Sequence, residues 1–162
     1  KEKKKSSGTA FSEKDTYPIL VEWLERNLAN KNINAFVYDT SSQTLPNFFN
    51  NVPDEELTIK IEEFEDMQIR PDVVAYIPES KDFIFVESKV TTLGLKELGQ
   101  LLAYCAVGNP EEAFLITTKS FSSTLLNIVS SLPDILNYEE NKKIKLGKLN
   151  PKTNKVVFLN HE

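Results

Sequence analysis

The chain reads as an α/β domain, a mixed central β-sheet flanked by helices with a C-terminal β-hairpin extension. Three observations predict this. Its 162 residues suit one domain with a substantial core. Hydrophobic residues make up 40% and charged residues 27%, the profile of a globular protein. Short apolar runs alternate with helical-period segments in mid-chain, while turn-separated strand pairs stand elsewhere. The sheet should therefore mix parallel and antiparallel neighbours.

Residues 1–14 are lysine-rich and unpatterned and read as a charged tail or linker, with a single domain over 15–162. Asp15-Thr16 ahead of Tyr17-Pro18 reads as a helix start, a capping residue followed by proline in the first turn. Leu20, Trp23, Leu24 and Leu28 recur at helical spacing, which predicts an amphipathic helix over 17–29. Residues 33–39 (INAFVYD) read as a strand, and 41–53 as a loop rich in Ser, Asn and Pro that carries Phe48 and Phe49. The alternation of 57–64 (LTIKIEEF) predicts a second strand with one wet face. Two apolar runs follow, 73–77 (VVAYI) and 83–90 (FIFVESKV), joined as a hairpin through Pro78-Glu79-Ser80-Lys81. Thr91-Thr92 caps a helix to about Val107, stopped by Gly108-Asn109-Pro110. A short buried strand over 113–118 leads to a helix over 120–131. Residues 143–149 and 155–159 flank Asn150-Pro151-Lys152-Thr153-Asn154 as the terminal hairpin.

Scarcity excludes several chemistries. The single Cys, Cys105, forms no internal disulfide and no cysteine-based zinc cluster, which fits a reducing, cytoplasmic setting. The single His, His161, stands next to the last residue, so a His-dependent triad or zincin helix has no internal His to use. No apolar run reaches the ~18 residues of a membrane span, so no membrane partner is expected. The missing initial Met and the charged tail are what a domain cut from a larger chain or complex would show. Net charge is −5, against a bulk nucleic-acid coat, but the charge is polarised. Residues 54–66 hold seven acids against Lys60, and residues 141–160 hold six Lys and no acid. Each cluster reads either as a solvated face or as a binding face, the lysine hairpin being suited to a phosphate backbone.

Chemistry concentrates in the central hairpin. A four-residue turn centred between Glu79 and Ser80 sets Ala75 opposite Ile84, Val73 opposite Val86 and Asp72 opposite Glu87. Opposed residues of antiparallel strands share a face roughly 5 Å apart. Alternation adds Lys89 to that face. Two carboxylates that close repel unless a cation or a shared proton relieves them. Oxygen ligands suit Mg²⁺ or Mn²⁺, and a neighbouring ammonium can hold a water or stabilise developing negative charge. Glu79-Ser80-Lys81 repeats the Glu-x-Lys tripeptide in the turn without apolar flanks, so the letters alone are not specific. The copy at 87–89 ends an apolar strand, where charges are costly.

Arg70-Pro71-Asp72-Val73-Val74, followed by Val86-Glu87-Ser88-Lys89-Val90, resembles the PD-(D/E)XK nuclease superfamily. The resemblance covers about two-thirds of the chain and implies a restriction-endonuclease-like αβββαβ core over 17–118, one strand before Asp72 being an addition. It implies a metal-dependent nuclease hydrolysing phosphodiester bonds in DNA. Asp72, Glu87 and the carbonyl of Ser88 would bind Mg²⁺ or Mn²⁺, and Lys89 would orient the attacking water. Gln100-Leu101-Leu102-Ala103-Tyr104 resembles the Gln-x-x-x-Tyr of the RecB-like and Holliday-junction-resolvase-like branch. Gln100 and Tyr104 share a helix face, Lys96 extends it by a turn, and this stripe would contact substrate phosphate. The family's first helix often adds an acid to the metal site, for which Glu22 is the candidate and Glu25 the alternative. Many members work as homodimers, but the sequence locates no interface. The competing readings are a non-catalytic nucleic-acid-binding or assembly module on the same fold, and a plain interaction domain. Cys105 and Trp23 read as core. Phe48 and Phe49 either fold onto the core or contact bases.

Overall fold

A computed structural model describes residues 10–50 and 68–159. The strand expected over 57–64, the whole acidic segment 54–66, and His161 lie outside the described residues. Helix α1 spans Glu13–Asn30, and strand β1 Phe36–Asp39. A short helix α2, Leu45–Phe49, interrupts the expected loop. Strands β2 (Val73–Ile77) and β3 (Asp82–Lys89) form the central hairpin. Helix α3 (Leu95–Gly108), strand β4 (Glu112–Thr117) and helix α4 (Ser123–Ser131) follow. A 3₁₀ turn, Pro133–Leu136, leads into β5 (Asn137–Glu139), β6 (Lys142–Asn150) and β7 (Lys155–Phe158).

The seven strands make one mixed sheet in the order β1-β2-β3-β4-β6-β5, with β7 also paired to β6. The hairpin register is as expected, Val73 opposite Val86 and Ala75 opposite Ile84. β3, β4 and β6 are mutually parallel. Their carboxyl ends therefore lie on one side of the sheet. Among the described elements, α1, β1, β2, β3, α3 and β4 keep the order α-β-β-β-α-β.

Both faces of the sheet are covered, which is why its central strands are unbroken apolar runs. On one face Leu20, Trp23, Leu24 and Leu28 of α1 pack on Val73, Ala75, Ile84, Val86 and Phe114. On the other, Leu98, Leu101 and Cys105 of α3 and Leu125 and Val129 of α4 pack on Val74, Phe83, Phe85, Leu115 and Leu146. Phe48 and Phe49 belong to this second core. Phe49 is 2% exposed, and their rings stack at 5.1 Å from each other and 5.3 and 5.6 Å from Tyr38. Among the described residues no helix is long and apolar enough to cross a membrane.

Three helix starts differ from expectation, α4 beginning at Ser123 behind a Ser122 cap rather than at Ser120. α1 begins at Glu13, inside the stretch read as tail, because Ser12 and Asp15 close a capping box; the Ser12 backbone N–H donates to Asp15 Oδ2 at 2.7 Å. Pro18 consequently lies inside the helix, and Lys14, whose carbonyl loses its partner, is exposed. α3 is capped by Gly94 rather than Thr91-Thr92, its N–H bonded to Glu97 Oε2 at 3.0 Å. α3 ends as expected, with Asn109 left-handed at φ 41°. Gly108 permits a close approach there. A Cβ on it would lie 2.5 and 2.7 Å from Phe85 ring carbons, and Phe85 is fully buried. Gly108→Ala should lower stability by about 1–2 kcal/mol in urea unfolding, the overpacking outweighing alanine's helix preference. Unchanged stability would mean that the ring has room to retreat.

Candidate active site

The site forms where β2 begins and β3 ends, beside the first turn of α1. The Pro71-Asp72 backbone entering β2 is pinned from β1's end. Thr40 is fully buried; its N–H donates to the Asp72 carbonyl at 2.9 Å and its hydroxyl to the Pro71 carbonyl at 2.6 Å. Asp72 is in turn fixed by its side chain, Oδ2 accepting the Ser88 N–H at 2.8 Å. Ser88 Oγ lies 2.6 Å from Thr16 Oγ1, which ties the end of β3 to α1.

Asp72, Glu87 and Ser88 are buried at 8%, 4% and 1% exposure. Burial raises the Glu87 carboxyl to about 8, and the Asp72 charge adds to the rise; the Lys89 ammonium opposes both. Asp72 is also raised, chiefly by burial, against the lowering effects of the Ser88 N–H and Lys89. The two carboxylates thus share one poorly hydrated space. Glu87 Oε1 is buried with no hydrogen-bond partner. A buried acceptor of this kind requires a proton, a water or a cation.

Lys89 is half-buried and donates to Glu13 Oε1 at 3.1 Å. Burial works to lower its pKa, but the Glu13 hydrogen bond and the charges of Glu13, Glu87 and Asp72 together raise it, so Lys89 is a fixed cation. Tyr17 completes the rim, its hydroxyl donating to Glu13 Oε1 at 3.3 Å. Its pKa rises through burial and the charges of Asp72 and Glu13.

The structure brings Asp72, Glu87, Ser88 and Lys89 together. On α3, Gln100 and Lys96 are exposed, whereas Tyr104 is half-buried and its ring packs against the core; Gln100 Nε2 donates to Tyr104 Oη at 3.2 Å. Glu22 is not at the site. It is 65% exposed and pairs with Arg26 at 3.8 Å, and Glu25 is exposed as well. The first-helix acid beside Lys89 is Glu13, about two and a half turns before Glu22 and within the stretch that the sequence presents as tail. Helical period cannot distinguish these acids, since it does not say which end of α1 meets β3. The Ser12-x-x-Asp15 capping signature could have placed Glu13 inside the helix. Thr16, Tyr17 and Thr40 carry no sequence signal of their own. Cys105 packs in the core, and burial followed by the Glu87 charge pushes its thiol up to about 12, which makes it no nucleophile.

Among the described residues no three His, Cys, Asp or Glu side chains are grouped to hold a metal. Two carboxylates still fit Mg²⁺, which keeps several waters and commonly takes one or two protein carboxylates plus substrate oxygens. The unpartnered Glu87 Oε1 is the observation that favours this fit.

No protein-family model matches the chain, and no curated protein matches it in sequence. Among solved structures it is similar to Pyrococcus furiosus SfsA in complex with Ca²⁺, at 13% identity and a TM-score of 0.41. The similarity covers 87% of this chain and 60% of that one, so the chain spans about three-fifths of that protein's length.

Proposed function

We propose that the chain is a metal-dependent nuclease domain that hydrolyses phosphodiester bonds in DNA. The observation that carries this reading is the buried pair Asp72 and Glu87 beside a fixed Lys89, with Glu87 Oε1 lacking a partner. The resemblance of Pro71-Asp72 and Glu87-Ser88-Lys89 to the PD-(D/E)XK pattern supplies the reaction class. Asp72, Glu87 and the Ser88 carbonyl would hold Mg²⁺ or Mn²⁺. When bound, that ion supplies charge neutralisation at the phosphate and acidifies a coordinated water.

This chain's own groups do the rest. Lys89, kept protonated by Glu13, directs its free N–H bonds toward the attacking water or a non-bridging phosphate oxygen. The Glu13 contact fixes the ammonium's position before substrate arrives. Tyr17 holds Glu13 in turn. Gln100 and Tyr104, already joined, present amide and hydroxyl donors to the strand's phosphates, and Lys96 adds charge a turn away.

The test is incubation of linear, circular, single-stranded and branched DNA with and without Mn²⁺, beside Lys89→Ala. Metal-dependent cleavage that falls on the order of 10²–10³-fold in the variant is expected. Metal-independent cleavage, or cleavage unaffected by the variant, would refute the assignment. Binding without cleavage would identify a non-catalytic module instead.

A further inference from the structure

Strand register carries the site sideways along the carboxyl ends of the parallel strands. Lys89 is in register with Thr117, and Thr117 with Lys148. Two strand spacings put Lys148 roughly 10 Å from Lys89 along the sheet. Thr117 is fully buried, its hydroxyl bonded to the Thr91 carbonyl at 2.6 Å, so the exposed cation of this row beyond Lys89 is Lys148.

Lys148 stands at the edge of an open hollow of about 410 Å³, with Phe121, Leu126, Val157 and Leu159 also in its lining. Three of these are exposed hydrophobics: Leu126 at 38%, Val157 at 65% and Leu159 at 37%. Lys119 lies just past the end of β4, and Lys152 and Lys155 lie in the hairpin beyond Lys148. Among the described residues Lys119, Lys148, Lys152 and Lys155 have no carboxylate partner. At the other end of β6 the arrangement is opposite. Lys142 pairs with Glu111 and Glu139, and Lys145 with Glu112 at 2.7 Å. Apart from Lys143, exposed near the paired end and also without a carboxylate partner among the described residues, the unneutralised lysines of β6 and its hairpin lie at the end that carries the site, and Lys148 borders the apolar floor.

We propose that this hollow binds the unpaired bases of a single nucleic-acid strand, whose backbone runs from the Lys89 site past Lys148 and Lys119. The proposal rests on the nuclease reading and deepens it by naming the substrate as single-stranded or locally unpaired. Apolar surface contacts base faces without regard to sequence, and flanking lysines hold the phosphates. A duplex keeps those faces stacked and offers the hollow only its backbone. The register that runs from Lys148 through Thr117 to Lys89 sets the hollow beside the proposed phosphodiester site, which favours a nucleic-acid strand over an acidic protein segment.

The test is fluorescence anisotropy with a labelled oligothymidylate and a hairpin duplex, in EDTA so that no strand is cut. Wild-type protein should bind the oligothymidylate more tightly than the duplex. Leu126→Ser with Val157→Ser should weaken single-strand binding by at least about fivefold and duplex binding far less. Lys148→Glu should weaken both and flatten the salt dependence. Lys143→Glu, an exposed lysine nearer the paired end of β6, should change little. All the substituted side chains are exposed, and thermal melting checks that the variants remain folded. Wild-type affinity in the Leu126/Val157 variant, or an equal loss for duplex, overturns the proposal. So does self-association that the same variant abolishes while DNA binding stays intact. If wild-type protein binds the single strand through these residues but never cleaves with Mn²⁺, the hollow stands and the nuclease reading falls.

Discussion

Asp72→Asn should lower metal-dependent cleavage by on the order of 10³-fold while leaving the domain folded. Asp72 has two separable tasks. Its Oδ2 accepts the Ser88 N–H at 2.8 Å, which is scaffolding. Its charge sits against Glu87 in a buried space, which is the proposed cation cradle. Asparagine can keep the first task through its amide oxygen and loses the second. Alanine loses both, so Asp72→Ala should match the activity loss and also unfold earlier, since a buried N–H is left without its acceptor. Mn²⁺ should raise the melting temperature of the wild-type protein, and that rise should be absent in both variants. An Asn variant within about tenfold of wild-type activity would place the metal elsewhere.

The second large effect is on stability. The Glu87 carboxyl is ordinarily at 4.5 and is raised to about 8 in the fold. A raised acid binds its proton more tightly folded than unfolded. Its contribution is therefore full below about 4.5 and is lost as pH rises through about 8. Asp72, raised in the same direction, adds to the slope. Without divalent cations, the protein should lose up to a few kcal/mol of stability between pH 5 and pH 8.5, in the range such displacements allow of about 4 kcal/mol. Lys89, also raised, loses its contribution only above its ordinary value of 10.5, outside this window. Glu87→Gln keeps the shape and stays neutral, so it should flatten the profile and exceed the wild type at pH 8.5. Mn²⁺ should flatten the wild-type profile too, by replacing the proton. Chemical unfolding across pH, in EDTA and in Mn²⁺, measures all of this. A metal-free profile that is level or rises toward pH 8.5 would contradict the burial of two carboxyls that Lys89 only partly offsets.

The sequence by itself determined the central hairpin, its register and the helix that follows. The apolar runs on either side of Pro78-Glu79-Ser80-Lys81 admit one pairing that buries both, and a slip of one residue would turn the apolar sets to the wrong face. Asp72 and Glu87 followed from that register. The core side of α3 followed from Leu98, Leu101 and Cys105 at helical spacing. The strand β5 is not legible in the sequence, because three polar-flanked residues, Asn137–Glu139, carry no period. Only the tertiary structure decided which acid of α1 reaches Lys89. Glu13 and Glu22 are both on the helix, but contact depends on where the helix end meets β3, a fact of packing between distant segments. It also decided that Glu87 Oε1 is left without a hydrogen-bond partner, since burial is a property of everything packed around a residue. The row from Lys89 through Thr117 to Lys148 likewise exists because β4 lies between β3 and β6. Local propensity fixes strands one at a time, whereas their lateral order is set by how helices on both faces close over the sheet.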